Sequence, residues 1–260
     1  MKDFDFFVQT IIICMTMRNT IFLLFFLYSS AVYAQYCCTE QGTVIYYVTE
    51  NFKKNKTLRD SVIVKNVLDE PERIVVEQLG YGDSYTPADV REGTNREIFI
   101  YGKKKDVTEF VILDAETENE EVRRYMASGY APGHEAEAEE EYRKYSEHFR
   151  AEGGIRIPIK ENAAMDEKLP ECHYLHKMSF MKMRAHLKGC YKGKEMVNTP
   201  AGDFECVKIQ TESEGNVMLF SEKEYATYWY AKGVGLVKSE IYTKRGKLLE
   251  RQVLHAVRKP

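Results

Sequence analysis

Residues 181–188 read Met-Lys-Met-Arg-Ala-His-Leu-Lys, and a strict two-residue alternation of this kind suits an extended backbone and no other. Met181, Met183, Ala185 and Leu187 fall on one face, while Lys182, Arg184, His186 and Lys188 fall on the other. One face is buried and one is wet. Val197 ends this strand. Pro200 then presets φ for the second position of a turn that Gly202 closes, so residues 204–211 return antiparallel. Residues 225–231, 236–243 and 248–257 continue the β pattern, interrupted at Gly233 and Gly235 and by the turn chemistry of 244–247. Upstream, residues 43–49, 61–67, 73–79, 96–101 and 107–113 are short β-branched and aromatic runs at hairpin spacing. Together they predict an antiparallel meander.

The period changes between residues 116 and 152, where eleven acidic and five basic side chains give a segment charge of −6 within a chain of formal charge −3. Residues 116–128 and 135–151 predict two helices, separated by a break at 129–133 and stopped at Gly153-Gly154. Tyr142, Tyr145 and Phe149 share a face of the second helix, and Glu139 with Arg143 and Glu140 with Lys144 are i,i+4 pairs. This insertion predicts either a cover for the sheet or an arm that meets a partner.

Residues 1–34 read as a signal peptide. Met17-Arg18-Asn19 is a short basic start, 21–27 an apolar core, and Val32-Tyr33-Ala34 a cleavage site with small residues at its two read positions. Met17 is a second candidate start. Residues 35–260 then form one β-rich domain in an exported, periplasmic or envelope-associated protein. A negative exported chain is a poor partner for nucleic acid, so the row Lys182, Arg184, His186 and Lys188 reads as a solvated strand face.

Two stretches, Thr199-Pro-Ala-Gly-x-Phe-x-Cys206 and Trp229-Tyr-Ala-Lys-Gly-Val-Gly-Leu-Val237, resemble a family of exported β-sheet domains of Gram-negative bacteria labelled TapB-like. The resemblance is weak from about residue 46 and strong over 169–254. It implies a strongly curved antiparallel sheet, loosely similar to the half-barrels of lipoprotein carriers, and names no chemistry. The fold class read from the chain is therefore mainly β (α+β): a curved antiparallel sheet or partial β-barrel with a helical insertion.

Export makes the cysteines a redox question. Cys190 and Cys206, near the ends of neighbouring strands, are the preferred disulfide candidates, with Cys172 to Cys37 or Cys38 as a second pairing. Cys172-His173-x-x-His176 is the one metal-like cluster. On a strand, however, Cys172 and His176 share a face that His173 does not, leaving too few donors for zinc and no nucleophile–base pair. No dinucleotide, phosphate-loop, metalloprotease or serine-hydrolase motif is present. The reading is a non-enzymatic chain with no catalytic residue, metal or cofactor. It predicts a binding module for a lipid or other apolar ligand, held on a concave face by Met178, Met181, Met183, Leu187 and Trp229. The alternative is a structural or interaction component of the envelope, meeting a protein partner through the acidic helices or a strand edge.

Overall fold

The computed structural model describes residues 35–92, 95–131, 133–178, 181–217 and 220–260, so the signal-peptide reading of residues 1–34 lies outside the described residues. Among them, twelve strands run in chain order: β1 Val44–Asn51, β2 Lys56–Asp69, β3 Arg73–Gly82, β4 Arg96–Gly102, β5 Val107–Asp114, β6 Phe149–Lys160, β7 Cys172–Met178, β8 Met181–Thr199, β9 Gly202–Val217, β10 Phe220–Ala231, β11 Gly235–Tyr242 and β12 Leu248–Arg258. Each pairs antiparallel with its sequence neighbours, and β1 pairs with β12, so the expected curved sheet curls all the way to a closed barrel. Closure needs coiling beyond ordinary strand twist. Bulges supply it in β2, β5, β8 and β11 and on both edges of β12.

Alternation assigns the walls. Ile45 and Tyr47, Val62 and Val64, Ile74 and Val76, Phe99 and Tyr101, then Ile155, Ile157 and Ile159 all turn inward and are buried in one core. One end of the barrel is filled by the chain itself. Tyr36, Cys37 and Cys38 are buried there, the Tyr36 amide donates to Thr108 Oγ1 at 2.9 Å, and the Gly233 amide donates to the Gln35 carbonyl at 2.8 Å.

The helical insertion stands at the opposite end, as α2 Ala115–Ser128 and α3 Glu135–His148; a shorter α1, Pro87–Glu92, joins β3 to β4. Asp114 caps α2 through the Thr117 amide. The Asn119 side chain clamps β6, donating to the Ala151 carbonyl at 2.9 Å and accepting from its amide at 3.2 Å. Two expectations change here. The second helix stops at His148, and Phe149 opens β6, though its ring still stacks on Tyr145 with centroids 4.6 Å apart. The reason is the ladder with β7, which pairs residues 149–153 with 178–174 and has room for no side chain at Gly153, where φ is +79° and the His173 carbonyl lies only 2.2 Å from where a Cβ would stand. Glu139 forms its ion pair with Arg123 of α2 at 2.7 Å instead of with Arg143, tying the two helices together.

The expected Cys190–Cys206 disulfide does not form, nor does one from Cys172 to Cys37 or Cys38: all five described cysteines are free. Register explains the first. Cys190 stands opposite Gln210 while Cys206 stands opposite Glu195. Four residues of strand, roughly 13 Å at about 3.3 Å each, exceed the Cα separation that a disulfide spans.

Candidate functional site

Of the five side chains expected to line one hollow, the three that are described do not share a surface. Met183 and Leu187 turn inward, opposite His176 and Cys172, with Leu187 buried and Met183 packed against the core. Met178 and Met181 pair by backbone register, and their side chains lie outside the described residues. Trp229 is on the outer wall, between Lys208 of β9 and Lys238 of β11. The inner wall beside Tyr47, Tyr228 and Tyr230 is polar as well as aromatic. Glu97 faces Gln78 there and accepts from the Tyr85 hydroxyl at 3.3 Å. Burial raises the Glu97 carboxyl above the ordinary glutamate range, and the Tyr85 hydrogen bond opposes it. Burial likewise pushes the Tyr228 phenol up to about 12.

Yet Trp229 is only 3 % exposed. What covers it is the end of the long β8–β9 hairpin. Beyond a bulge between Tyr191 and Lys194, this ribbon leaves the barrel and touches β11 and β12 as well. The turn is the one read from sequence: Thr199 Oγ1 accepts from the Ala201 amide at 3.2 Å and donates to the Gly202 carbonyl at 3.0 Å. The Trp229 indole donates to Glu195 Oε2 at 3.3 Å, and Lys208 reaches the same oxygen at 2.8 Å. Lys238 Nζ lies 4.4 Å and Lys208 Nζ 5.1 Å from the indole ring centroids. The Lys208 hydrogen bond leads the forces that hold the Glu195 carboxyl below its usual range, with the indole and Lys238 adding to it.

Next to this clamp, still on the outer wall, lies a groove of about 660 Å³. Its floor is Cys190, Gln210 and Thr227. One bank is the β6–β7 connection with Lys168, Leu169 and Glu171, and the other is Tyr225, Tyr242 and the β11–β12 turn with Lys244. Lys168 bridges to Cys190 through the backbone, which holds that connection against β8. Burial, ahead of a hydrogen bond to Glu240, pushes the Tyr242 phenol up to about 12, so it stays a neutral donor on the bank. Cations and carboxylates share the rim. Lys188 pairs with Glu212 at 3.4 Å.

Residues 152–254 match the DUF3108-like family. The DUF3108-like segment runs from inside β6 into β12. It therefore carries the whole groove, the β8–β9 hairpin and Trp229, whereas the helical insertion precedes it. Both motifs that resemble TapB-like domains also fall inside it. Two solved structures share the fold. A protein described as a lipoprotein, from Parabacteroides distasonis, is 18 % identical with a TM-score of 0.54, covering 86 % of this chain and 98 % of its own. A protein described as exported with a YmcC-like fold, from Bacteroides fragilis, is 15 % identical with a TM-score of 0.54, covering 87 % of this chain and 100 % of its own. No curated protein matches the chain.

The strand reading of Cys172-His173-x-x-His176 agrees with the observed walls. Cys172 contacts the Arg156 carbonyl at 3.5 Å and His176 contacts Glu118 of α2 at 3.1 Å. His173 faces out and stacks on His186, with ring centroids 4.6 Å apart. Sequence reasoning missed His186 as its partner. The signal was available in the pairing of β7 with β8, which sets residue 178 opposite 181 and hence 173 opposite 186.

Proposed function

We propose that this chain is an exported envelope protein that acts as a non-catalytic binding module, taking an amphiphilic, lipid-class ligand in the outer-wall groove of its DUF3108-like segment. The observation that carries the reading is the groove itself. Its volume of about 660 Å³ falls in the range of roughly 300–1,000 Å³ typical of small-ligand sites. Tyr225 and Tyr242 offer apolar surface, and Lys168, Lys188 and Lys244 offer charge to an anionic end. The barrel interior is a weaker candidate, because its wall is crowded with buried tyrosines. Export is supported by the leader-like residues 1–34 and by fold neighbours described as exported or as a lipoprotein. Cys37 and Cys38 are buried, which disfavours either as a point of lipid attachment.

The test is native mass spectrometry of the full chain purified from its own envelope, followed by organic extraction. A bound mass that extracts as an amphiphile is expected, and it should be lost in a Gln210→Trp variant that fills the groove floor. The mass of the bare polypeptide would overturn the reading. A second reading, a protein partner on the acidic insertion, is favoured by Tyr125 of α2, which is 80 % exposed. Crosslinking at Tyr125 that weakens in high salt would support it over the first.

A further inference from the structure

We infer that Glu171, His173 and His186 form a binding site for a divalent transition-metal ion of the zinc class. The site lies on the outer wall where β7 meets β8; it shares Glu171 with one bank of the groove, while His173 and His186 stand outside the groove, and the inference does not depend on that reading. His173 and His186 are direct cross-strand partners. Their neighbours Tyr174 and Leu187 turn into the core, which fixes both imidazoles outward. The rings lie nearly parallel, 13° apart. Glu171, in the residue before β7, brings its Oε2 to 3.4 Å from His186 Nε2. One donor atom from each of the three side chains lies within 4.8 Å of the others.

That spacing is close to a coordination sphere. Bonds of about 2.0–2.2 Å in a tetrahedron require donor separations of roughly 3.4 Å. Rotation of the exposed Glu171 side chain, and of the His173 ring out of its stack on His186, can supply the remaining contraction. His186 Nε2 meanwhile is buried and makes no hydrogen bond among the described residues, its approach to Glu171 Oε2 at 3.4 Å being a charge contact without hydrogen-bond geometry. Leaving a buried nitrogen unsatisfied is unfavourable, and a metal bond at that atom removes the penalty.

The surrounding charges permit a cation. Arg184 lines the same cleft of about 540 Å³, but so do Glu152 and Glu214. Glu214 stands opposite His186 in the β8–β9 register and is engaged with Lys223 at 2.8 Å. Two imidazoles and one carboxylate select a borderline ion such as Zn²⁺, Cu²⁺ or Ni²⁺ over Mg²⁺ or Ca²⁺, which take oxygen donors. Three protein donors leave the fourth position of a zinc tetrahedron open to solvent.

The experiment is calorimetric titration of ZnCl₂ into the full chain, with zinc-edge X-ray absorption on the product. One saturable ion per chain is expected, in a shell of nitrogen and oxygen with imidazole outer scattering. His173→Asn and His186→Asn should each weaken binding by about tenfold or more, with Glu171→Gln weakening it less. Zn²⁺ should raise the melting midpoint of the wild type and not of the double histidine variant. Without metal the variants should melt within about 2 °C of wild type, because the substituted side chains face outward. Absence of saturable binding, sulfur in the shell from one of the free cysteines, or undiminished affinity in the double variant would each overturn the inference.

Discussion

Replacing Trp229 by alanine tests whether the β8–β9 hairpin is truly held on the barrel by one indole. Trp229 is 3 % exposed beneath that hairpin, so the change empties a filled position, and buried aromatic-to-alanine substitutions lose about 3–5 kcal/mol. The cations over the ring, Lys238 at 4.4 Å and Lys208 at 5.1 Å, account for about 1–2 kcal/mol of that. Glu195 adds little, because it keeps Lys208 at 2.8 Å when the indole donor goes. A loss of about 4 kcal/mol is therefore expected, equivalent to a fall of roughly 8–16 °C in the melting midpoint for a chain of this length. The assay is urea and thermal unfolding followed by far-ultraviolet circular dichroism, since the variant removes the only tryptophan and with it the fluorescence probe. Amide hydrogen exchange supplies the local readout: residues 195–206 should exchange faster while β4 and β5 keep their protection. Trp229→Phe should retain most of the packing and lose about 1 kcal/mol with the indole donor. A loss below about 1 kcal/mol in Trp229→Ala, or unchanged exchange in the hairpin, would refute the clamp.

Glu97→Gln should stabilise the fold at pH 8 and give no advantage at pH 4. Burial raises the Glu97 pKa, so the stability linked to its proton is present below the unfolded value and lost as pH rises through the folded one, which chemical denaturation at the two pH values will resolve. The five described cysteines should all titrate with a thiol reagent after denaturation. In the native state Cys190, on the groove floor, should react ahead of Cys37 and Cys206, whose thiols burial pushes up to about 12. A Cys190–Cys206 bridge in an unreduced peptide map would contradict the register of β8 and β9. Gly153→Ala should destabilise by about 2 kcal/mol or more in urea unfolding, because the position has φ +79° and a Cβ would meet the His173 carbonyl at 2.2 Å. An alanine variant of wild-type stability would mean that this stretch of β6 readily adopts another path.

Most strands were legible because their alternation is local. Met183 to Leu187 turns every second side chain toward the core as written, and the Pro200–Gly202 turn reverses the chain where its residue types say it should. β6 was half hidden. Ile155, Ile157 and Ile159 alternate plainly, but Gly153-Gly154 also suits the end of a preceding acidic helix, and only the close approach of β7 reveals the glycine as a strand residue. Closure was not legible at all. It rests on the β1–β12 pairing, between residues at opposite ends of the domain, and on bulges whose curvature adds up over the whole circuit.

The site was less legible than the fold for a related reason: a strand's own sequence separates its two faces without saying which is inner. Around Trp229 even that separation fails, because Tyr228-Trp229-Tyr230 is aromatic on both faces. An indole with tyrosine neighbours reads as core. What settles its side is the company across the ladder, Lys208 and Lys238, two cations that a closed interior would have to pair and desolvate. His173 and His186 make the same point from the opposite direction. Each is unremarkable on its own strand, and the pair exists only once β7 and β8 are in register. Cross-strand pairs thus carry the chemistry of this wall, and that is why the outer face of β7 to β11, not the hollow, holds both candidate sites.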